Sequence, residues 1–120
     1  MELGGSDPFI ILADADLEKA VDGAVASRFG NGGQVCIAAK RFIVDESIAA
    51  DFTDRFAKPI AAIQPGDPLD SETFLGPMSR IDLRDTLHKQ VKMAVKEGAK
   101  LVLVGVQNRA NPAPGIRLSF

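Results

Sequence analysis

Apolar residues along the chain recur with two spacings, and the switch between them marks the elements. "PFIIL", Pro8 to Leu12, is a short unbroken apolar run opened by proline and reads as a buried strand. In "LEKAVDGAVASRF", Leu17, Ala20, Val21, Ala24, Val25 and Phe29 fall at helical spacing, with Asp14 or Asp16 as N-cap and Glu18 favouring the positive helix end. "GNGG", Gly30 to Gly33, stops this helix, because Gly and Asn accept the left-handed backbone common at helix C-termini. Phe42, Ile43 and Val44 in "KRFIVDE" then predict a second strand.

A second helix is predicted from Ser47, its cap, with Ile48, Phe52 and Phe56 spaced by four and a stop near Pro59. "QPGDPLDSETFLGP" holds three prolines and two glycines, a density that marks a long surface loop. Ser79 or Asp82 caps a third helix whose Leu83, Leu87, Val91, Ala94 and Val95 form one apolar stripe, ended by Gly98. "KLVLVGV", from Lys100, reads as a further buried strand. The order strand, helix, strand, helix, helix, strand predicts an α/β architecture with parallel strands and flanking helices.

Composition narrows the function. A net charge of -2 with both signs interspersed offers no basic face for a nucleic-acid backbone. The apolar runs are too short to span a bilayer, and the N-terminus has no signal-peptide layout. A single cysteine forms no intramolecular disulfide, so a cytoplasmic protein with a free thiol is expected. With no Trp and no Tyr, the commonest platforms for stacking bases or sugars are missing.

That cysteine, Cys36, carries the candidate chemistry. It follows a glycine turn, lies between regular elements, and has Lys40 and Arg41 close in sequence, all of which suit a thiolate nucleophile. It equally suits a small buried residue, since free cysteine is among the most buried types. "GNGG" lacks the Lys and Ser/Thr of a phosphate loop. Glu2, before Gly4 and Gly5, reads either as a general base or as a solvated glutamate near a terminus. His88, in the third helix, has no partner at metal-ligand or triad spacing and reads as a surface residue. No metal site is expected.

Two stretches taken together carry a resemblance. "FGNGGQVC", Phe29 to Cys36, resembles the cysteine signature of the aldehyde dehydrogenase family, and "ELGG", Glu2 to Gly5, resembles its glutamate signature, at the family's usual separation. The likeness runs through "DPFIILADADLEKAV" and "AAKRFIV" to about Val104, and "ELGGSDPF" with "GQVCIAAKRF" is most similar to the succinate-semialdehyde dehydrogenase branch. Ser6 stands where many members carry Lys, which fits this branch.

The resemblance implies an NAD(P)-dependent oxidoreductase acting on a small-molecule aldehyde. Cys36 would be the nucleophile, its backbone N–H half of the oxyanion hole, and Glu2 the general base. Leu3 and Gly4 would line the nicotinamide side, and Gly32 and Gly33 would let the chain turn beneath that ring. Ala38 stands where some relatives have a second cysteine, so no redox-regulatory disulfide is expected there.

Family members are several times longer. Residues 1 to 120 are therefore expected to be one partial catalytic domain, without the Rossmann-type cofactor domain, the oxyanion-hole Asn, the ribose-binding Glu or the oligomerisation arm. Met1 and the ending "NPAPGIRLSF" leave the family pattern, as a truncation or frame change would make them do. The expectation for the chain alone is that it binds no NAD or NADP and is inactive. Intact members are homo-oligomers. The alternative is a non-catalytic α/β module whose open strand edges and apolar faces make it self-associate.

Overall fold

The computed structural model describes residues 4–103, which fall into two compact units divided between Ala62 and Ile63. The first contains β1 (Pro8–Ile11), α1 (Leu17–Phe29), a 3-10 turn (Gly30–Gly33), β2 (Arg41–Val44) and α2 (Ala49–Ala62). The second contains the long loop and α3 (Ile81–Lys96).

In the first unit β1 and β2 pair in parallel, Pro8 with Arg41 through to Ile11 with Val44, and α1 makes the crossover. Asp16 caps α1, its carboxylate accepting the Lys19 N–H at 3.2 Å. That bond and the Lys19 side chain hold the Asp16 carboxyl below its ordinary value. Val21, Ala24 and Phe29 form the buried stripe of this helix.

One face of the small sheet is covered by aromatic rings. Phe9 and Phe42, register partners, lie 5.5 Å apart between centroids, and Phe42 lies 5.0 Å from Phe56 of α2. Phe52 stacks on Phe56 at 5.4 Å, and Ile60 completes the buried edge of α2. Such pairs add about 0.5–1.5 kcal/mol each beyond the area they bury. α1 packs on this face at Gly23, where an added Cβ would stand in ordinary contact, 3.7 Å from the Phe9 ring.

The opposite face is open. Ile10, Leu12 and Ile43 are 61%, 62% and 51% exposed, which corrects the reading of "PFIIL" as a buried strand. Only alternate residues of a strand point to one face, and both helices of this unit lie on the face carrying Phe9 and Ile11.

Three helix boundaries also differ from expectation. Ser47 does not cap α2; its hydroxyl donates to the Asp45 carboxylate at 2.6 Å, and its N–H donates to the same oxygen at 3.0 Å. These two bonds hold the Asp45 carboxyl below its ordinary value. Pro59 does not end α2, which runs on to Ala62 because Phe56 and Ile60, on either side of the proline, are buried. The N-cap of α3 is Arg80, with no side-chain cap bond, and its guanidinium forks onto Asp82 at 2.9 and 2.6 Å.

In the second unit the proline-rich loop is pinned by its own backbone, with Pro65 bridging Leu75 and the Gly66 N–H donating to Leu75 at 3.0 Å. No residue of α3 is fully buried, and Leu87, Val91, Ala94 and Val95 line an open groove of about 260 Å³. The expected strand from Lys100 is absent through Leu103, and its remainder lies outside the described residues. No helix among the described residues is long and apolar enough to cross a membrane.

Truncating Phe52 (3% exposed) to Ala is expected to cost about 3–5 kcal/mol, whereas Ile43→Thr on the open face costs about 0.5 kcal/mol or less. Urea denaturation of the two variants checks this, and equal losses would mean that the aromatic face is not the core.

Candidate active site

Parallel pairing has one consequence for chemistry: the segments that enter β1 and β2 lie at the same end of the sheet. The segment before β1 is the described end of "ELGG", and the segment before β2 is the cysteine turn.

The turn is built from α1 outward. After Phe29 the chain passes through three left-handed residues, Asn31 (φ 51°), Gly32 (φ 66°) and Gly33 (φ 77°). Asn31 tolerates this backbone because its short polar side chain bonds locally, here donating to the Gln34 carbonyl at 3.5 Å. Gly33 is required for a second reason. A Cβ there would stand 2.8 Å from the Arg28 carbonyl oxygen and 2.7 Å from its guanidinium.

Cys36 then sits in a tight turn closed by the Ala38 N–H donating to the Val35 carbonyl at 3.0 Å. Its side chain is exposed, which removes the reading of a buried structural cysteine. Directly after it the chain dives inward. Ala38 and Ala39 are 2% and 3% exposed, and the Ala39 N–H donates to Ser27 Oγ of α1 at 3.2 Å. The thiol is thus presented at the surface by a loop rooted in the core.

Gly5 packs directly on this turn, because a Cβ placed on it would stand 3.0 Å from the Cys36 carbonyl oxygen. Two further ties fix the pair of segments. The Lys40 N–H donates to the Asp7 carbonyl at 3.4 Å, and the Arg41 guanidinium donates twice to the Ser6 carbonyl, at 3.0 and 2.8 Å.

The two cations near Cys36 therefore serve differently. Arg41 is spent on Ser6, whereas the Lys40 ammonium donates to the Cys36 carbonyl at 3.1 Å. Glu2 and Leu3 lie outside the described residues. Gly4 has φ 81°, is exposed, and would meet nothing within 4 Å of an added Cβ. His88 is exposed on α3, as the sequence suggested. Among the described residues, no three His, Cys, Asp or Glu cluster as metal ligands.

Gly5, Ser27 and Arg28 escaped the sequence reading. Gly5 stood inside a quoted motif and was open to suspicion, but Ser27 and Arg28 act through contacts that no spacing encodes.

The sequence model described as "Aldehyde dehydrogenase family" matches residues 1–118. The chain is 61% identical over 105 residues to the succinate semialdehyde dehydrogenase [NAD(P)+] Sad of Escherichia coli K12, covering 88% of this chain and 23% of that protein. The solved structure titled for cofactor and substrate selection by Gox0499 superposes with a TM-score of 0.90 at 44% identity, over 99% of this chain and 26% of that one. The succinate-semialdehyde dehydrogenase structure from Burkholderia pseudomallei superposes with a TM-score of 0.87 at 32% identity, over 99% and 24%. The chain thus spans about a quarter of the length of the proteins it matches.

Gly33→Ala, which puts a Cβ 2.8 Å from backbone on a left-handed residue, is expected to cost about 2–3 kcal/mol in thermal or urea unfolding. Gly4→Ala carries the left-handed penalty alone, about 1–2 kcal/mol, because space there is open. Equal losses would show that the Arg28 contact contributes nothing.

Proposed function

The chain belongs to the aldehyde dehydrogenase family, and from that premise we propose that it is the cysteine-bearing part of an NAD(P)-dependent catalytic domain oxidising succinate semialdehyde to the acid. The observation that carries this reading is the packing of Gly5 on the Cys36 carbonyl, which brings the two signature stretches together around one exposed thiol.

The chemistry follows from the residue types. The Cys36 thiolate adds to the electrophilic aldehyde carbon, the carbonyl π pair moves to oxygen, and a thiohemiacetal forms. The developing oxyanion is met by the Cys36 backbone N–H, which donates to no acceptor among the described residues. Bound NAD(P)+ supplies the hydride acceptor that takes this carbon to the thioester level.

Glu2 accepts the proton from the thiol, releases it to solvent, and then accepts a proton from the water that hydrolyses the thioester. Gly4 fits the nicotinamide side, since its exposed backbone has open space where a side chain would stand, and Leu3, its neighbour in sequence, is assigned the same role. Gly33 uses its conformational freedom against Arg28, and Gly32 turns the chain beside it.

Transplanting residues 4–103 into the E. coli relative tests the reading. The chimera is expected to produce NAD(P)H from succinate semialdehyde, and Cys36→Ala within it to lose at least about a thousandfold in kcat/KM. A Cys36→Ala chimera that keeps its activity would sink the assignment.

A second reading is favoured by the open sheet face. Ile10, Leu12 and Ile43 form a row of exposed apolar side chains that a second copy of the chain covers, so the 120 residues act as a self-associating module. Size-exclusion chromatography of the chain and of Ile10→Ser/Ile43→Ser checks this. A dimer dissolved by the double substitution is expected, and a monomer at all concentrations would rule it out.

A further inference from the structure

Arg41 opens β2, and strand alternation puts it on the same face as Ile43, the open one, away from α1 and α2. Its guanidinium turns back along the sheet to the Ser6 carbonyl, donating from Nε at 3.0 Å and from Nη2 at 2.8 Å. Bonds from a charged donor are shorter and stronger than neutral ones. Backbone pairing at this end is weaker, since the Lys40 N–H reaches the Asp7 carbonyl only at 3.4 Å. Among the described residues, the firmest polar tie between the two segments is therefore a side chain that takes no part in the core.

Upstream of Ser6 stand Gly4 and Gly5, which have no side chains with which to root the segment. Glycine loses more conformational freedom on ordering than any other residue. Yet Gly5 lies against the cysteine turn, where an added Cβ would stand 3.0 Å from the Cys36 carbonyl oxygen. A close approach made by the most flexible residue type needs an anchor beside it, and the Ser6 carbonyl is the adjacent anchored group. Along the chain, Glu2 is joined to β1 only through this segment.

We propose that Arg41 is a positioning residue for the reaction at Cys36: its guanidinium straps the Ser6 carbonyl and so holds the Gly4–Gly5 segment, from which Glu2 follows upstream, against the nucleophile turn. This rests on the enzymatic reading of Cys36 and Glu2. Arg41 acts through a backbone carbonyl and supplies no atom to the bonds made or broken. Because it lies on the open face, its loss leaves the packing of Phe9, Phe42, Phe52 and Phe56 in place, so positioning separates from folding.

Backbone amide relaxation of the 120-residue chain reads the strap directly. Gly5 and Ser6 are expected to have order parameters of about 0.8 in the wild type and below about 0.6 in Arg41→Met, while Phe42 and Phe52 stay at about 0.85 in both. Arg41→Lys keeps the charge and one donor and is expected to recover the larger part of the difference. In the chimera with the E. coli relative, Arg41→Met is expected to lower kcat about tenfold and to change KM by less than about twofold, because aldehyde still binds while the base segment is no longer held.

Wild-type order parameters at Gly5 and Ser6 in Arg41→Met overturn the proposal, and so does a kcat equal to that of the parent chimera. If Arg41→Met does not fold, Arg41→Thr, suited to a strand and too short to reach Ser6, is expected to give the same losses. Failure of both variants to fold would make Arg41 part of the core stability and would also overturn the positioning role. The relaxation measurement needs neither aldehyde nor cofactor. A Cys36→Ala chimera that keeps its activity therefore sinks the enzymatic reading without moving the order parameters, and unchanged order parameters beside a dead Cys36→Ala chimera sink only the strap.

Discussion

The parallel pairing of β1 with β2 is the constraint on which the site depends, because it places two stretches more than thirty residues apart at one end of a sheet. Pro8 opposite Arg41 is enough to bring Gly5 against the Cys36 carbonyl and Ser6 within reach of the Arg41 guanidinium. A slip of β2 by one residue would turn Phe42 to the open side and Ile43 to the helices. The aromatic packing that rewards the observed register is thus the same packing that brings the motifs together.

The core and the site are coupled through the turn between them. Phe29 ends α1 inside the core, the left-handed run Asn31 to Gly33 reverses the chain, and Ala38 and Ala39 return it to the interior beneath an exposed thiol. Glycine at 33 belongs to this route, since any side chain would strike the Arg28 backbone. The left-handed backbone of Asn31, the one non-glycine in this run, is offset by burial at both ends. Strain held in that way commonly marks a functional segment.

Most of the first unit was legible along the chain. The helical spacing from Leu17 to Phe29, its acidic cap and the glycine stop all appear where the pattern puts them. Local rules failed where tertiary contacts outweighed them. Pro59 reads as a stop, but burial of Phe56 and Ile60 holds the last turn of α2 in place. Ser47 reads as a cap, but its hydroxyl found the Asp45 carboxylate two residues back. The apolar stripe of α3 reads as a core face, yet all of it is at least partly exposed in its own unit.

By itself, the sequence determined the chemistry on offer: one thiol after a glycine turn, a glutamate before two glycines, and the periods of the helices and strands around them. Those are local properties, carried by residue type and spacing. Only the tertiary structure decided that Cys36 is exposed, that Gly5 touches it, and that Lys40 reaches back to it while Arg41 is spent on Ser6. Each of these depends on strand register and on where the sheet's two faces turn. Register is set by side chains packing across elements, which no single stretch of chain contains.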